Sequence, residues 1–131
     1  MPPLTPKPMI YVAGPMALDP LGCVRNVTPV FDELLKAGFT PFLPQLFMVM
    51  EIVQPCDYEA MLAYDFEVIK RSDVLLRLPG ESKGADREVA FAHTHATPVF
   101  TWPEERLELR IWADAWAESH NDGLVDYIIE P

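Results

Sequence analysis

The stretch that most constrains this chain is residues 74–95. Val74-Leu75-Leu76-Arg77-Leu78 is a short apolar run, Pro79-Gly80 breaks it, and a polar segment then leads into Glu88-Val89-Ala90-Phe91-Ala92-His93. An apolar run stopped by Pro-Gly and followed by helix-compatible residues predicts a buried strand, a turn and a helix over 84–95, with Glu88 in its first turn. Sites in α/β folds gather at such strand ends. A carboxylate in a first turn lies near the positive end of the helix dipole, which favours its ionised form. Held and ionised, it is a nucleophile toward electron-poor carbon, so Glu88 is the first candidate catalytic residue. The loop before it carries Gly80, Ser82, Gly84 and Ala85, small residues whose backbone N–H groups an anion can approach.

The rest of the chain alternates between the same two periods. Residues 1–8, with four prolines, predict a loose leader. Residues 9–13 predict a first strand closed by Gly14-Pro15. Thr28 is the expected cap of a helix with Pro29 at its first position, a stripe of Val30, Phe31, Leu34 and Leu35, and Gly38 as its stop. Residues 39–43 predict a second strand, which Pro41 and Pro44 confine to an edge or a short ladder. Residues 45–57 follow no single period; the run Leu46-Phe47-Met48-Val49-Met50 reads as a short helix or a flap, lining a pocket or filling the core.

A helix is expected over 58–71, with Met61, Leu62, Phe66 and Ile69 near one face. Helical spacing puts Asp65 on that apolar stripe. A buried, unpaired carboxylate is costly, so Asp65 should border a cavity or bond a neighbouring backbone. Residues 98–102 predict a fourth strand, 103–119 a last helix, and 125–129 a fifth strand or a tail lying on a neighbour. Crossovers of this length argue for one α/β domain over 1–131, with a parallel sheet covered on both faces.

The last helix carries Leu107, Leu109, Ile111, Trp112, Ala115 and Trp116, more than one narrow face holds. A homodimer or higher homo-oligomer joined through this 104–119 segment is expected, with Leu109, Trp112 and Trp116 at the contact. The three tryptophans read as core or interface packing before base stacking. His93 and His95 do not face each other on a helix, so no metal is expected there. Glu104, Glu105 and Glu108 read as a solvated helix start.

At 131 residues and a formal net charge of −10, the chain suits one core and argues against a nucleic-acid-coating surface. A small anionic substrate is compatible with that charge, with Lys83, Arg87 and Arg25 as local compensation. Cys23 and Cys56 form no metal spacing and read as reduced thiols. With no targeting segment and no apolar run of membrane-spanning length, the expectation is a cytoplasmic protein without membrane contact.

Ile10-Tyr11-Val12-Ala13-Gly14-Pro15-Met16, Asn26, Asp57-Tyr58-Glu59, Asp65, Ser72-Asp73-Val74, Leu78-Pro79-Gly80 and Ser82-x-Gly84-Ala85-x-x-Glu88 follow one another in order. Together they resemble the nucleoside 2-deoxyribosyltransferase superfamily, in particular a short, often phage-associated branch with the same Ala-Gly-Pro-Met opening. The resemblance runs from about residue 9 to 100. It implies a Rossmann-like three-layer sandwich with a mainly parallel five-stranded sheet, and cleavage of the N-glycosidic bond of a nucleoside or nucleotide without metal or organic cofactor. Glu88 would attack C1′ of the sugar, and Asp65 would bond the base or protonate it as it leaves. Tyr11, Gly14, Pro15, Ser82, Gly84 and Ala85 would bind substrate.

Relatives that use free nucleosides tend to have an aspartate six residues before the nucleophile, and those that hydrolyse 5′-monophosphates a serine. The serine here is Ser82, whose hydroxyl can donate to a phosphate that a carboxylate would repel. The resemblance therefore implies a (2′-deoxy)nucleoside 5′-monophosphate N-hydrolase first, a base-exchanging transferase second and a non-catalytic nucleotide sensor third. Against the first, Met16-Ala17-Leu18-Asp19-Pro20-Leu21-Gly22 lacks the Gly- and Arg-rich character of a phosphate-binding segment. The Pro-Gly-Gly-x-Gly-Thr-x-x-Glu loop of cytokinin-activating phosphoribohydrolases is a weaker likeness, since the doubled glycine and the threonine are missing. The family's site is often completed across a dimer contact, which makes Asn121, Asp122 and the tail candidates to reach a neighbour's pocket.

Overall fold

A computed structural model describes residues 6–16 and 19–120. Their order is β1 (Met9–Ala13), α1 (Pro20–Lys36), β2 (Thr40–Phe42), a 3-10 turn (Pro44–Val49), α2 (Met50–Val53), α3 (Tyr58–Lys70), β3 (Val74–Arg77), α4 (Lys83–Thr94), β4 (Val99–Thr101) and α5 (Arg106–Ser119). The four strands form one sheet in the order β2-β1-β3-β4. Every pairing is parallel, with Tyr11 opposite both Phe42 and Leu75, and Leu76 opposite Phe100. Four strands rather than five make up this sheet; the segment expected as the fifth, 125–129, lies outside the described residues.

Period-two alternation sorts the strand side chains into two cores. Ile10, Val12, Val74 and Leu76 face α1 and α5, packing with Val27, Leu34, Trp102 and Leu109. Tyr11, Ala13 and Leu75 face α3 and α4, packing with Ile69, Ala85 and Ala92. The result is three layers, helix on sheet on helix. β2 is an edge strand, as Pro41 requires, because its neighbour Ile10 lies on one side only. Asp73 ties the start of β1 to β3: its carboxylate accepts from the Met9 N–H at 2.7 Å, and its own N–H donates to the Met9 carbonyl.

Three expectations need correction. α1 begins at Pro20, two turns before Thr28, capped by Asp19, whose carboxylate accepts from the N–H groups of Leu21 and Gly22. The apolar stripe already runs through Cys23 and Val27, and burying them outweighs the donor that Pro29 removes from the helix interior. Thr28 turns its hydroxyl back onto the Val24 carbonyl at 2.6 Å. Gly38 does stop the helix, with φ +93° just beyond the Ala37 cap.

The second correction concerns α5. Leu109 is only 2 % exposed and belongs to the core of its own chain. Trp112 packs against Phe100, Trp116 stacks on His120, and buried Trp102 carries the Arg106 guanidinium 4.5 Å above its ring. These contacts use the residues expected at a subunit contact; the exposed apolar side chains of this helix are Leu107 and Ile111. Its start is Arg106 rather than Pro103, since the Glu105 carboxylate holds the N–H and hydroxyl of Thr101. Third, α4 begins at Lys83, which places Glu88 sixth in the helix and not in its first turn.

Among the described residues no helix is long and apolar enough to cross a membrane, and no cluster of His, Cys, Asp or Glu has the makings of a metal site. His95 serves as the cap residue of α4 and stacks on Phe91, and no disulfide joins Cys23 to Cys56.

Candidate active site

Between β1 and β3 the strand order reverses direction, and the crevice beyond the carboxyl ends of those strands is where α/β sheets take ligands. A cavity of about 160 Å³ opens there. Gly14 and Met16 follow β1 into its wall, Ser82, Gly84, Ala85 and Glu88 come from the start of α4, and Met61, Leu62 and Asp65 from α3. Phe47 and Met48 of the 3-10 turn close one side, so the ambiguous 45–57 segment does line the pocket, while Leu46, Val49 and Met50 stay exposed.

Local packing explains this convergence. A side chain on Gly14 would press on Leu78, at 3.0 Å from its Cβ, so the glycine lets β1 run out close beside the end of β3. Gly80 has φ +112°, and a Cβ there would stand 2.7 Å from the Pro15 ring. Pro15 thus packs under the β3–α4 loop and is not part of the cavity lining, contrary to its expected substrate contact. Arg77 staples the same loop. Its guanidinium donates to the Leu78 and Gly80 carbonyls at 2.5 and 3.0 Å and pairs with Asp86 in the first turns of α4 at 3.0 Å.

Ser82 lines the cavity, yet its first task is local: its hydroxyl oxygen accepts from the Ala85 N–H at 3.1 Å and caps α4. The cap uses the hydroxyl as an acceptor and leaves its hydrogen able to donate. Gly84 leaves room for the Tyr58 hydroxyl, which would stand 3.3 Å from a Cβ at that position.

Asp65 and Glu88 border the same cavity from different helices, 7 % and 5 % exposed. The Tyr11 hydroxyl donates to Glu88 Oε2. Tyr11 is itself fully buried, stands behind Glu88 and does not line the cavity, so its observed partner is the carboxylate and not a substrate position. Asp65 Oδ1 is buried without a hydrogen-bond partner. An aromatic series links this center to the surface: Tyr11 stacks on Phe42, Phe42 meets Phe47, and Phe47 meets Tyr64 edge-on at 5.4 Å.

The electrostatics reverse the expectation drawn from the helix dipole. Burial is the largest influence on Glu88, and with the nearby Asp65 charge it pushes the carboxyl up to about 8, against the opposing pull of the Tyr11 hydrogen bond and the Arg77 charge. Dipole effects fade beyond the first turn, and desolvation of a charge is the larger effect. Burial also raises Asp65, with the neighbouring Glu88 and Tyr11 groups opposing that shift. Tyr11 is driven well above the ordinary phenol range by burial and by the two carboxylates, so it stays a donor. At neutral pH Glu88 is therefore held toward its protonated form, beside the second buried carboxyl of Asp65.

Of the expected compensating cations, Arg87 pairs with Glu59 at 3.1 Å beside the Tyr58 ring, and neither Lys83 nor Arg25 lines the cavity. All ten Lys and Arg residues of the chain lie among the described residues, and none lines the cavity. Its carboxyl groups are those of Glu51, Asp65 and Glu88. Sequence reasoning passed over Arg77, Glu51 and Gln45. Arg77 had a signal, a lone cation in an apolar strand. Gln45 had none; it is fully buried, donates to the Val12 carbonyl at 3.2 Å, and leaves its own Oε1 unpartnered.

A 2-deoxyribosyltransferase from the psychrotolerant bacterium Bacillus psychrosaccharolyticus shares this fold, with a TM-score of 0.53 over 71 % of this chain and 70 % of its own, at 22 % sequence identity. No protein-family profile and no curated protein matches the sequence.

Proposed function

We propose that this chain is an enzyme that cleaves the N-glycosidic bond of a nucleoside through a glycosyl ester on Glu88. The observation that carries this reading is the placing of two buried carboxyls, Asp65 and Glu88, on one cavity, with Tyr11 donating to Glu88. When a proton moves from Glu88 to Asp65, the site gains a nucleophile and an acid in the same step. A Glu88 oxygen bonds to C1′, the C1′–N electron pair leaves with the base, and the base takes the proton from Asp65. Water or a second base then attacks C1′, releases Glu88 and gives its proton to Asp65. Transfer prevails when a base occupies the cavity, and hydrolysis when water does.

The fold shared with a 2-deoxyribosyltransferase and the ordered motifs through Tyr11, Gly14, Asp65, Ser82 and Glu88 support the same reading. The charge balance favours a substrate whose 5′-hydroxyl is unphosphorylated, because the cavity offers three carboxylates and no side-chain cation to a dianionic phosphate. A second reading keeps the 5′-monophosphate: Ser82 and Gly84 line the cavity at the N-terminus of α4, where backbone N–H groups and the helix dipole favour an anion.

The test is incubation with ribo- and deoxyribonucleosides and their 5′-monophosphates, with and without an acceptor base, products being separated by chromatography. Base exchange or release from free nucleosides, lost in Glu88→Ala, is the expected result. Release from monophosphates alone selects the second reading. Nucleotide binding with no product under any condition would make the chain a sensor and refute catalysis.

A further inference from the structure

We propose, resting on the glycosidase reading, that the preferred substrates are nucleosides whose base carries a positive charge, such as N-glycosylated pyridinium or N7-alkylated purine compounds. The cavity is built for such a group. Glu51 from α2, Asp65 from α3 and Glu88 from α4 line it, and none of the chain's Lys or Arg side chains does. Arg77, the cation whose charge reaches Glu88, is occupied by two carbonyls and Asp86 behind the loop. Asp65 Oδ1 is buried and unpartnered on the cavity wall. Burying a carboxyl oxygen without a partner is costly, and a cationic ring beside it would offset that cost.

The apolar wall suits the same ligand. Met16, Met48 and Met61 bring polarisable thioethers and Phe47 an aromatic ring, while the Tyr58 ring already carries the Arg87 guanidinium. Both kinds of group attract a flat cation more than a neutral ring of equal size. No phosphate-binding cation competes for the carboxylates, so their field falls on whatever occupies the base position.

The chemistry also simplifies. A Glu88 oxygen bonds to C1′, the C1′–N bond breaks, and its electron pair cancels the positive charge on the ring nitrogen. The base leaves neutral and takes no proton. Water then attacks C1′, frees Glu88 and passes its proton to ionised Asp65. A neutral nucleoside needs the singly protonated pair, whereas a cationic one is cleaved with both carboxylates ionised. The charged and titratable groups around the pair are Tyr11 on β1, Arg77 on β3, Glu51 on α2, Cys56 before α3, Tyr58 on α3, and Asp65 and Glu88 themselves.

Two measurements on the intact chain test this. Calorimetry compares 1-methylnicotinamide, a cation, with its neutral isostere 3-methylbenzamide. The cation should bind about tenfold tighter, with the ratio falling in Glu51→Gln and at high salt; equal or weaker binding of the cation overturns the proposal. Turnover of nicotinamide riboside and 7-methylguanosine is compared with that of guanosine and deoxyguanosine, each divided by its spontaneous rate. The cationic substrates should show the larger acceleration, and nicotinamide riboside, whose charge is permanent, should keep it above about pH 8, where the neutral ones lose it; 7-methylguanosine, which loses a ring proton near neutral pH, is compared in mild acid. Larger acceleration of the neutral nucleosides overturns the proposal and leaves the glycosidase reading standing. If no nucleoside is cleaved, the glycosidase reading fails, and the calorimetric ratio alone decides whether the cavity selects cations.

Discussion

Replacing Glu88 by Gln should stabilise the fold at alkaline pH while removing activity. In the folded chain this carboxyl is raised from its ordinary 4.5 to about 8, first by burial and then by Asp65. A group held protonated by the fold contributes its full stability below the unfolded value and loses it as pH rises through the folded one. Each pKa unit is worth about 1.4 kcal/mol, so ionising Glu88 costs the fold about 4 kcal/mol at pH 8 and under about 1 kcal/mol at pH 5. Glutamine escapes this cost. Its carbonyl can still accept from Tyr11, and its amide can donate to Asp65.

The difference in unfolding free energy between Glu88→Gln and the parent should therefore grow by about 3 kcal/mol from pH 5 to pH 8, roughly 10 °C in Tm for a domain of this size. Acids outside the pair titrate alike in both proteins and cancel in the difference; Asp65, which loses a neighbouring charge in the variant, adds to it in the same direction. Urea unfolding followed by circular dichroism at several pH values measures it. Parallel stability curves for the two proteins would show that Glu88 is not held protonated. A variant more stable at pH 8 and inactive would place the stored cost of folding at the site that uses it.

Tyr11→Phe removes the donor that holds Glu88 down, so the alkaline limb of kcat/KM for neutral nucleosides should move above its parent position and the rate at pH 7 should fall by about tenfold or more, read from pH–rate profiles. Arg77→Met releases the Leu78 and Gly80 carbonyls and Asp86; a loss of about 1–3 kcal/mol in chemical unfolding is expected, together with an upward shift of the same alkaline limb, and Arg77→Lys should restore only part of either. Ser82→Asp keeps a good helix cap, so Tm should change little, while any cleavage of 5′-monophosphates should fall more than cleavage of free nucleosides. Gly80→Ala meets both the φ of +112° and the Pro15 ring at 2.7 Å, and should cost about 2 kcal/mol in unfolding free energy.

Much of the fold is local in origin and legible in the residues themselves. Strand periods, the Pro-Gly break after Leu78, the Gly38 stop and the position of Asp65 on the α3 stripe all follow from spacing along the chain, and each is where that spacing puts it. The stripe through Cys23 and Val27 was equally present in the sequence, but Pro29 is a stronger local signal than two apolar residues, and only packing against the sheet shows which prevails. Leu109 and Trp112 of α5 illustrate the same limit: a surplus of apolar residues reveals the need for cover, and for these two the tertiary fold supplies it within the chain, while Leu107 and Ile111 stay exposed.

By itself the sequence determined the α/β alternation, the strand–turn–helix carrying Glu88, and the burial of Asp65, because periodicity and turn chemistry act over a few residues. Only the tertiary structure decided how the site is charged. Glu88, expected to be ionised by a helix end, is instead held toward its protonated form, since burial and a second carboxylate 23 residues earlier, on another helix, act only once the fold has packed α3 against α4. The same holds for Tyr11, bonded to Glu88 across 77 residues, and for Arg77, whose staple exists only once the loop has closed. Local signals place a residue on an element; the field it feels comes from neighbours that the fold alone selects.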